Sequence, residues 1–215
     1  MPSSSRFPAA GWRRTVRLAA GSLLVVLGVA LLAACSSDTE DGAIHVLHTD
    51  ADVGPIMERY IDRGIDRAEA NDAKLVVIEL DTPGGYSESM RKIVQRIEAA
   101  DVPVAVYVSP SGARAASAGT FITMAAHVAA MAPNTSIGAA SAINADGSDI
   151  EGTLGRKVEN DAVALIRGIA DLRGRNADWA ESAVRDAVAV NDQEAVRLNV
   201  VDFRANDFTD LLRQA

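Results

Sequence analysis

Leu75-Val76-Val77-Ile78-Glu79-Leu80 is the segment that most limits what this chain can become. Five of its six residues are apolar and three are β-branched, with no polar alternation. Such a run reads as a strand buried on both faces rather than one half of an exposed hairpin. Similar short runs recur at residues 43–48, 102–108 and 128–132. Between them, apolar residues return at helical spacing: Val53, Ile56, Met57, Tyr60, Ile61, Ile65 and Ala68 in the first interval, then Met90, Ile93, Val94 and Ile97. Residues 120–127 form a third helix-like stretch. Strands alternating with helices predict an α/β fold of parallel strands joined by right-handed crossovers. Residues 137–140 extend past a turn at Pro133-Asn134, and residues 141–155, rich in Asn, Asp, Gly and Ser, are expected to be a mobile loop. The tail is mainly helical from Lys157 onward, with a strand-like piece at 199–202.

The 215 residues suit one domain and an appendage. The appendage leads the chain. Arg6, Arg13, Arg14 and Arg17 precede an unbroken apolar and small-residue run over 18–34, which ends in Leu32-Ala33-Ala34-Cys35. A basic stretch, an apolar stretch and a small-residue cleavage site make a secretory signal over 1–34. Seventeen apolar residues are short of the roughly 20 that span a bilayer. Residues 35–42 read as a polar, acidic tether, leaving 43–215 as the folded domain. Without the four leader arginines the chain keeps 17 basic residues against 29 acidic ones, a net charge near −12. That balance disfavours a nucleic-acid partner. The single cysteine, Cys35, excludes an internal disulfide.

Two turns stand out at strand ends. Asp81-Thr82-Pro83-Gly84-Gly85 follows the first buried strand, and parallel sheets place ligand sites at the carboxyl ends of their strands. Glycines there expose backbone N–H groups, which suits a tetrahedral oxyanion; the plainer reading is an ordinary turn. Arg114-Ala115-Ala116-Ser117-Ala118-Gly119-Thr120 places one hydroxyl among small residues between a strand and a helix. Ser117 there is a candidate nucleophile, with the Ala118 amide a second oxyanion donor. The plainer reading is a helix cap.

A serine nucleophile needs a base. His45 and His48 lie on or after the first strand, and His127 reads as a structural histidine. Lysine is scarce, three against eighteen arginines. Lysine, unlike arginine, gives up its proton when buried in apolar surroundings, so Lys157 is a candidate base. As a plainer alternative it is a solvated charge near a helix start; Lys74, at a strand start, and Lys92, on a helix face, fit the same plain role. No His/Cys ligand cluster or phosphate loop is present, so no metal or nucleotide cofactor is expected.

Leu32-Ala33-Ala34-Cys35 resembles the lipobox of bacterial lipoproteins, which implies lipidation of Cys35 and an anchor on the extracytoplasmic face of the cell membrane. Three further motifs are Val-Val-Ile-Glu-Leu-Asp-Thr-Pro-Gly-Gly, Gly-Ala-Arg-Ala-Ala-Ser-Ala-Gly-Thr and Met-Ala-Pro-Asn-Thr-Ser-Ile-Gly-Ala. Together they resemble the extracytoplasmic serine protease domain of NfeD-type proteins, Clp/crotonase-fold peptidases related to signal peptide peptidase A. The resemblance runs, more loosely, to Asp202. It implies Ser117 as nucleophile, Lys157 as general base, and Gly84, Gly85 and the Ala118 amide as the oxyanion hole. It also implies a peptide or protein substrate drawn from apolar segments of stomatin-like membrane proteins, and a homo-oligomer, dimer or larger. Residues 134–142 lack the histidine of Clp proteases proper, which favours the Ser/Lys branch. Long family members continue into transmembrane helices and a small β-barrel domain, whereas this chain stops at Ala215. A crotonase-like acyl-CoA enzyme and a non-catalytic membrane-tethered scaffold are the competing readings.

Overall fold

The structure, a computed structural model, describes residues 42–144 and 147–215. The signal, the Cys35 site and all of the tether but Gly42 lie outside the described residues. Among the described residues no helix is long and apolar enough to cross a membrane.

The elements in chain order are β1 (Ile44–Asp50), α1 (Pro55–Ala70), β2 (Leu75–Asp81), α2 (Ser87–Glu98), β3 (Val104–Val108), β4 (Arg114–Ala116) and α3 (Ala118–Ala125). There follow β5 (Val128–Met131), β6 (Ser136–Gly138), α4 (Gly152–Arg173), α5 (Ala177–Arg185), β7 (Ala189–Asn191), α6 (Asp192–Arg197), β8 (Phe203–Arg204) and α7 (Phe208–Gln214). Five strands form one sheet in the order β1-β2-β3-β5-β8, every neighbouring pair parallel. The α/β expectation therefore holds. A smaller sheet, β4-β6-β7, adjoins it, with β4 and β6 parallel and β7 antiparallel to β6.

The central strand β3 is buried along its whole length, and Val76, Val77 and Ile78 of β2 are fully buried. Met57, Ile61, Ile65 and Ala68 of α1, and Met90, Ile93, Val94 and Ile97 of α2, pack on one face of the sheet. Each buried isoleucine contributes about 1.5–3 kcal/mol by leaving water, so these two helical stripes are a large part of what holds the layer. The opposite face carries Val77, Ala105, Tyr107 and Ala130 against Leu211 of α7. Tyr107 donates its hydroxyl to the Ala205 carbonyl at 3.0 Å, joining the middle of the sheet to the C-terminal segment.

Three expectations are corrected. Residues 199–202 form a turn rather than a strand; the short strand β8 comes just after, while Val200 and Val201 are buried beside it. Helix α4 starts at Gly152, five residues before Lys157. Residues 152–155, expected to belong to a loop, are the first turn of α4; before them Ile143 bridges Asp149, and Asn144 N–H donates to the Ser148 carbonyl at 2.8 Å.

Helices α2 and α3 each run from the carboxyl end of one strand toward the start of the next. Their positive N-terminal ends gather at one edge of the sheet. Arg173, the last residue of α4, donates from Nε to the Ala125 carbonyl at the end of α3 (2.8 Å), so α3 and α4 end together. Helix α4 has 22 residues and α3 has 8. The excess lies at the front, and the first turns of α4 project past the end of α3 that carries Ser117.

Candidate active site

Strand β2 does not stop at Asp81. Thr82 N–H donates to the Arg114 carbonyl (2.8 Å) and Ala116 N–H to the Thr82 carbonyl (3.1 Å), which zips the end of β2 onto β4. Asp81 Oδ1 accepts from the Arg114 N–H at 2.9 Å. This pairing delivers the glycine turn to the serine turn.

Ser117 sits immediately before α3 with φ 51° and ψ −116°. A non-glycine residue pays about 1–3 kcal/mol to hold such a conformation, and it persists only where the surroundings over-determine it. They do so here. The Ser117 N–H donates to the Gly138 carbonyl at 3.0 Å. Thr120, fully buried, places Oγ1 at 3.0 Å from both the Ala115 and the Gly138 carbonyls and accepts from the Gly138 N–H at 3.2 Å. A Cβ on Gly119 would meet Thr82 Cγ2 at 2.6 Å, so a glycine lets α3 settle on the strand end. The serine side chain caps nothing in its helix. Its hydroxyl is thereby left for other work.

Gly84 faces this serine directly. It is buried with φ +118°, and a Cβ there would lie 2.6 Å from Ser117 Cβ and 3.1 Å from Ser117 Oγ. Its own N–H donates to Thr82 Oγ1 at 3.2 Å. Gly84 thus gives the serine room but spends its amide within the turn. Gly85 is exposed, φ +154°, with its Cα against the backbone of Val53, and Val53 bridges it in parallel. Among the described residues, the Gly85 and Ala118 amides have no hydrogen-bond acceptor. These two are the donors available for a developing oxyanion.

Lys157 is placed differently from what burial as a base requires. It is exposed on the second turn of α4, with no hydrogen-bond or ion-pair partner among the described residues. The reason is the projection of α4: its buried residues begin only at Val163. One turn further on, Asp161 pairs with Arg91 near the start of α2. That pair ties the projecting part of α4 to the helix that follows Gly85.

Two of the three histidines serve elsewhere. His127 accepts the Val104 N–H on Nδ1 at 3.2 Å, and burial, with Arg173 and Arg175 nearby, holds its pKa below the usual imidazole value. His48 pairs with Glu79. Lys92 meets Glu58 and Glu88, as a surface lysine does. Among the described residues no three His, Cys, Asp or Glu side chains come together as metal ligands.

Sequence reasoning missed the far end of the serine helix. Arg175, buried, donates from Nη1 to the Met124 and Ala126 carbonyls (2.6 and 2.9 Å) and from Nη2 to Asp202 Oδ2 (2.6 Å). Asp202 also accepts the Ala129 N–H at 2.7 Å. Two arginines therefore satisfy three carbonyls at the negative end of α3. No local signal in the sequence connects residue 175 with residues 124–126.

The model of the NfeD1b N-terminal domain matches residues 43–211. The membrane-bound protease PH1510 of Pyrococcus horikoshii is 43% identical over 157 residues, 72% of this chain and 35% of that protein. The membrane protein NfeD1b of Bacillus subtilis is 29% identical over 126 residues, 59% of this chain and 27% of that protein. The chain thus spans about a third or less of the length of these curated relatives. Two solved structures of the 1510-N membrane-bound stomatin-specific protease superpose with a TM-score of 0.76 at 38% identity. One is a lysine-to-alanine mutant in complex with a substrate peptide, covering 81% of this chain and 80% of that one; the other is a serine-to-alanine mutant, with 80% and 84%. ClpP1 of Listeria monocytogenes, 18% identical over 78% of this chain and 94% of its own, shares the fold with a TM-score of 0.63. With its strand-end serine and glycine turns set in a Clp-like α/β frame, this chain belongs to the NfeD1b N-terminal domain family.

Proposed function

We propose that the chain is a serine endopeptidase working through a Ser117/Lys157 dyad. The observation that carries this reading is Ser117 itself, held at φ 51° at the head of α3 with a free hydroxyl pressed against Gly84. Strain of this kind, stored at a helix N-terminus beside two unused amides, is what a nucleophile needs and a packing serine does not. Ser117 Oγ attacks the peptide carbonyl and passes its proton to the neutral amine of Lys157. The Gly85 and Ala118 amides hold the oxyanion while Gly84 gives the tetrahedral centre space. Lys157 then returns the proton to the leaving amine, and water releases the acyl group.

The exposure of Lys157 fits a base that enters the site when substrate arrives. A peptide laid between Gly85 and Ser117 lies under the projecting turns of α4, and its apolar side chains displace water from the lysine. Catalytic contacts often tighten only in the complex. In the solved relatives, the substituted serine and lysine stand one position further apart than Ser117 and Lys157 do here. Tyr86, 66% exposed and next to Gly85, offers an apolar wall for such a substrate. The substrate class we infer is an apolar segment of a stomatin-like membrane protein. Lipidation at Cys35 would hold the enzyme on the extracytoplasmic face, and we read the working form as a homo-oligomer.

The test is labelling with a fluorophosphonate probe alongside hydrolysis of an apolar peptide. Ser117→Ala should abolish both. Lys157→Ala and Lys157→Arg should each lower hydrolysis by at least about a hundredfold, since arginine keeps the charge but cannot take the proton. Full hydrolysis by Ser117→Ala or Lys157→Ala would end this reading. Membrane release on Cys35→Ala tests the anchor, and sedimentation tests self-association.

A further inference from the structure

Helix α1 is divided lengthwise by charge. Its acidic flank faces α2 and is fully engaged: Glu58 with Ser89 and Lys92, and Asp62, Asp66 and Glu69 with Arg96. Its basic flank, Arg59, Arg63 and Arg67, is exposed, and none of the three guanidiniums makes a hydrogen bond or ion pair among the described residues. They stand four residues apart on one face of the helix, in a chain whose net charge is −8.

The basic flank borders the outer edge of the sheet. Strand β1 pairs with β2 on one side, and among the described residues no strand pairs with its other side. The strand is seven residues long and contains neither proline nor lysine, the usual means of blunting an open edge. Leu47 packs so closely on Gly64 that a Cβ there would strike its side chain, which draws α1 down onto β1. Between strand and helix runs a groove of about 680 Å³ whose walls include Ile44, Ile56 and Tyr60 as well as the three arginines. Ile56 is 80% exposed and Tyr60 44%.

The geometry points to this groove as a binding site for an extended peptide with acidic side chains at alternate positions, added as a strand to the free edge of β1. Backbone hydrogen bonds to β1 give such a peptide its affinity, and side-chain pockets give it selectivity. The spacing agrees. Arginines four residues apart on a helix are separated by about 6 Å along its axis. Alternate residues of a strand are separated by about 6.6–6.8 Å. Over three positions the mismatch is about 1.5 Å, well within the reach of an arginine side chain. Guanidinium groups also suit carboxylates through paired N–H donors. The site lies apart from Ser117, so it stands whether or not the chain is a peptidase. A flat anionic bilayer uses the same charge but neither the edge strand nor the spacing, and the chain's overall negative charge opposes it.

The test measures fluorescence anisotropy of a labelled eight-residue peptide alternating Glu with Val or Thr, titrated with the full-length protein in detergent. A second peptide has the same composition with its glutamates in one block. The alternating peptide should bind at least tenfold more tightly. Arg59→Glu/Arg63→Glu/Arg67→Glu should lose that binding with an unchanged circular dichroism melt, and lysine at the three positions should keep most of it. Equal binding of both peptides, or an unaffected triple glutamate variant, overturns the proposal. Arginine-dependent sedimentation with phosphatidylglycerol vesicles, without binding of the alternating peptide, overturns it in favour of a membrane surface.

Discussion

Replacing Gly84 with alanine tests whether the glycine turn exists to make room for the serine. Two costs follow from the structure. At φ +118° an L side chain is strained, by about 1–3 kcal/mol. The new Cβ would also sit 2.6 Å from Ser117 Cβ, where carbon atoms prefer about 3.5–4.0 Å. One of the two must retreat by about 1 Å, and forcing atoms into a filled site costs about 1–3 kcal/mol more. The sum, about 2–6 kcal/mol, lowers the melting temperature by at least about 5 °C in a domain of this size. If Ser117 is the proposed nucleophile, activity should suffer more than stability, because a displacement of about 1 Å costs about a hundredfold in rate. Gly112→Ala separates the two costs. Its φ is +94° and nothing lies within 4 Å of the added Cβ, so it carries the backbone strain without the collision. Melting curves and fluorophosphonate labelling rates of the two variants decide the matter. If Gly84→Ala labels within twofold of the parent and melts with Gly112→Ala, the glycine is not there for the serine.

Thr120→Val keeps the shape but removes a hydroxyl that serves the Ala115 and Gly138 carbonyls and the Gly138 N–H; we expect a loss of about 1–3 kcal/mol in denaturant melts and slower labelling of Ser117. Arg175→Met strands two carbonyls at the end of α3 and leaves Asp202 without its cation, at a cost of about 2–4 kcal/mol by urea unfolding, discounted because Asp202 is partly solvated. His127 carries a lowered pKa through burial first and Arg173 and Arg175 second. Its neutral ring accepts the Val104 N–H, so its contribution is complete above the unfolded value near 6.5 and is lost as pH falls through the lower folded value. Urea midpoints should therefore drop between pH 7.5 and pH 5, and the drop should shrink in His127→Gln.

The sheet was legible because its strands are short, apolar and β-branched, and because Met57, Ile61 and Ile65 keep strict helical phase. Strand β4 was not: Arg114-Ala115-Ala116 is a strand only because Ser136-Ile137-Gly138 lies beside it, a pairing over 22 positions that no local pattern announces. The start of α4 was hidden for a different reason. Gly152-Thr153-Leu154-Gly155 has poor helix formers, and Glu151 makes no side-chain cap, so the sequence reads as loop where the chain is already helical. Ser117 and the glycine turn could be read from small residues at strand ends. What fixes them could not, since Thr120 reaches forward to Gly138 and Arg175 reaches back to Met124.

The two members of the proposed dyad stand in opposite surroundings. Ser117 is held from several sides, by Gly138 on its amide, Gly84 against its Cβ and Thr120 beneath the turn, while Arg175 fixes the far end of its helix. Lys157 is constrained only by its helix, through the Arg91–Asp161 pair one turn away. On the proposed mechanism this asymmetry has a physical logic. A strained serine must be held by the fold at all times, because nothing else opposes its relaxation. A lysine kept permanently dry costs several kcal/mol of stability, whereas one that is dried only when apolar substrate covers it costs that energy during turnover alone. If Lys157 is the base, the same arrangement would make it a poor one toward polar peptides, which bring water with them. On that proposal, selectivity for apolar segments would follow from where the base stands, without a deep specificity pocket.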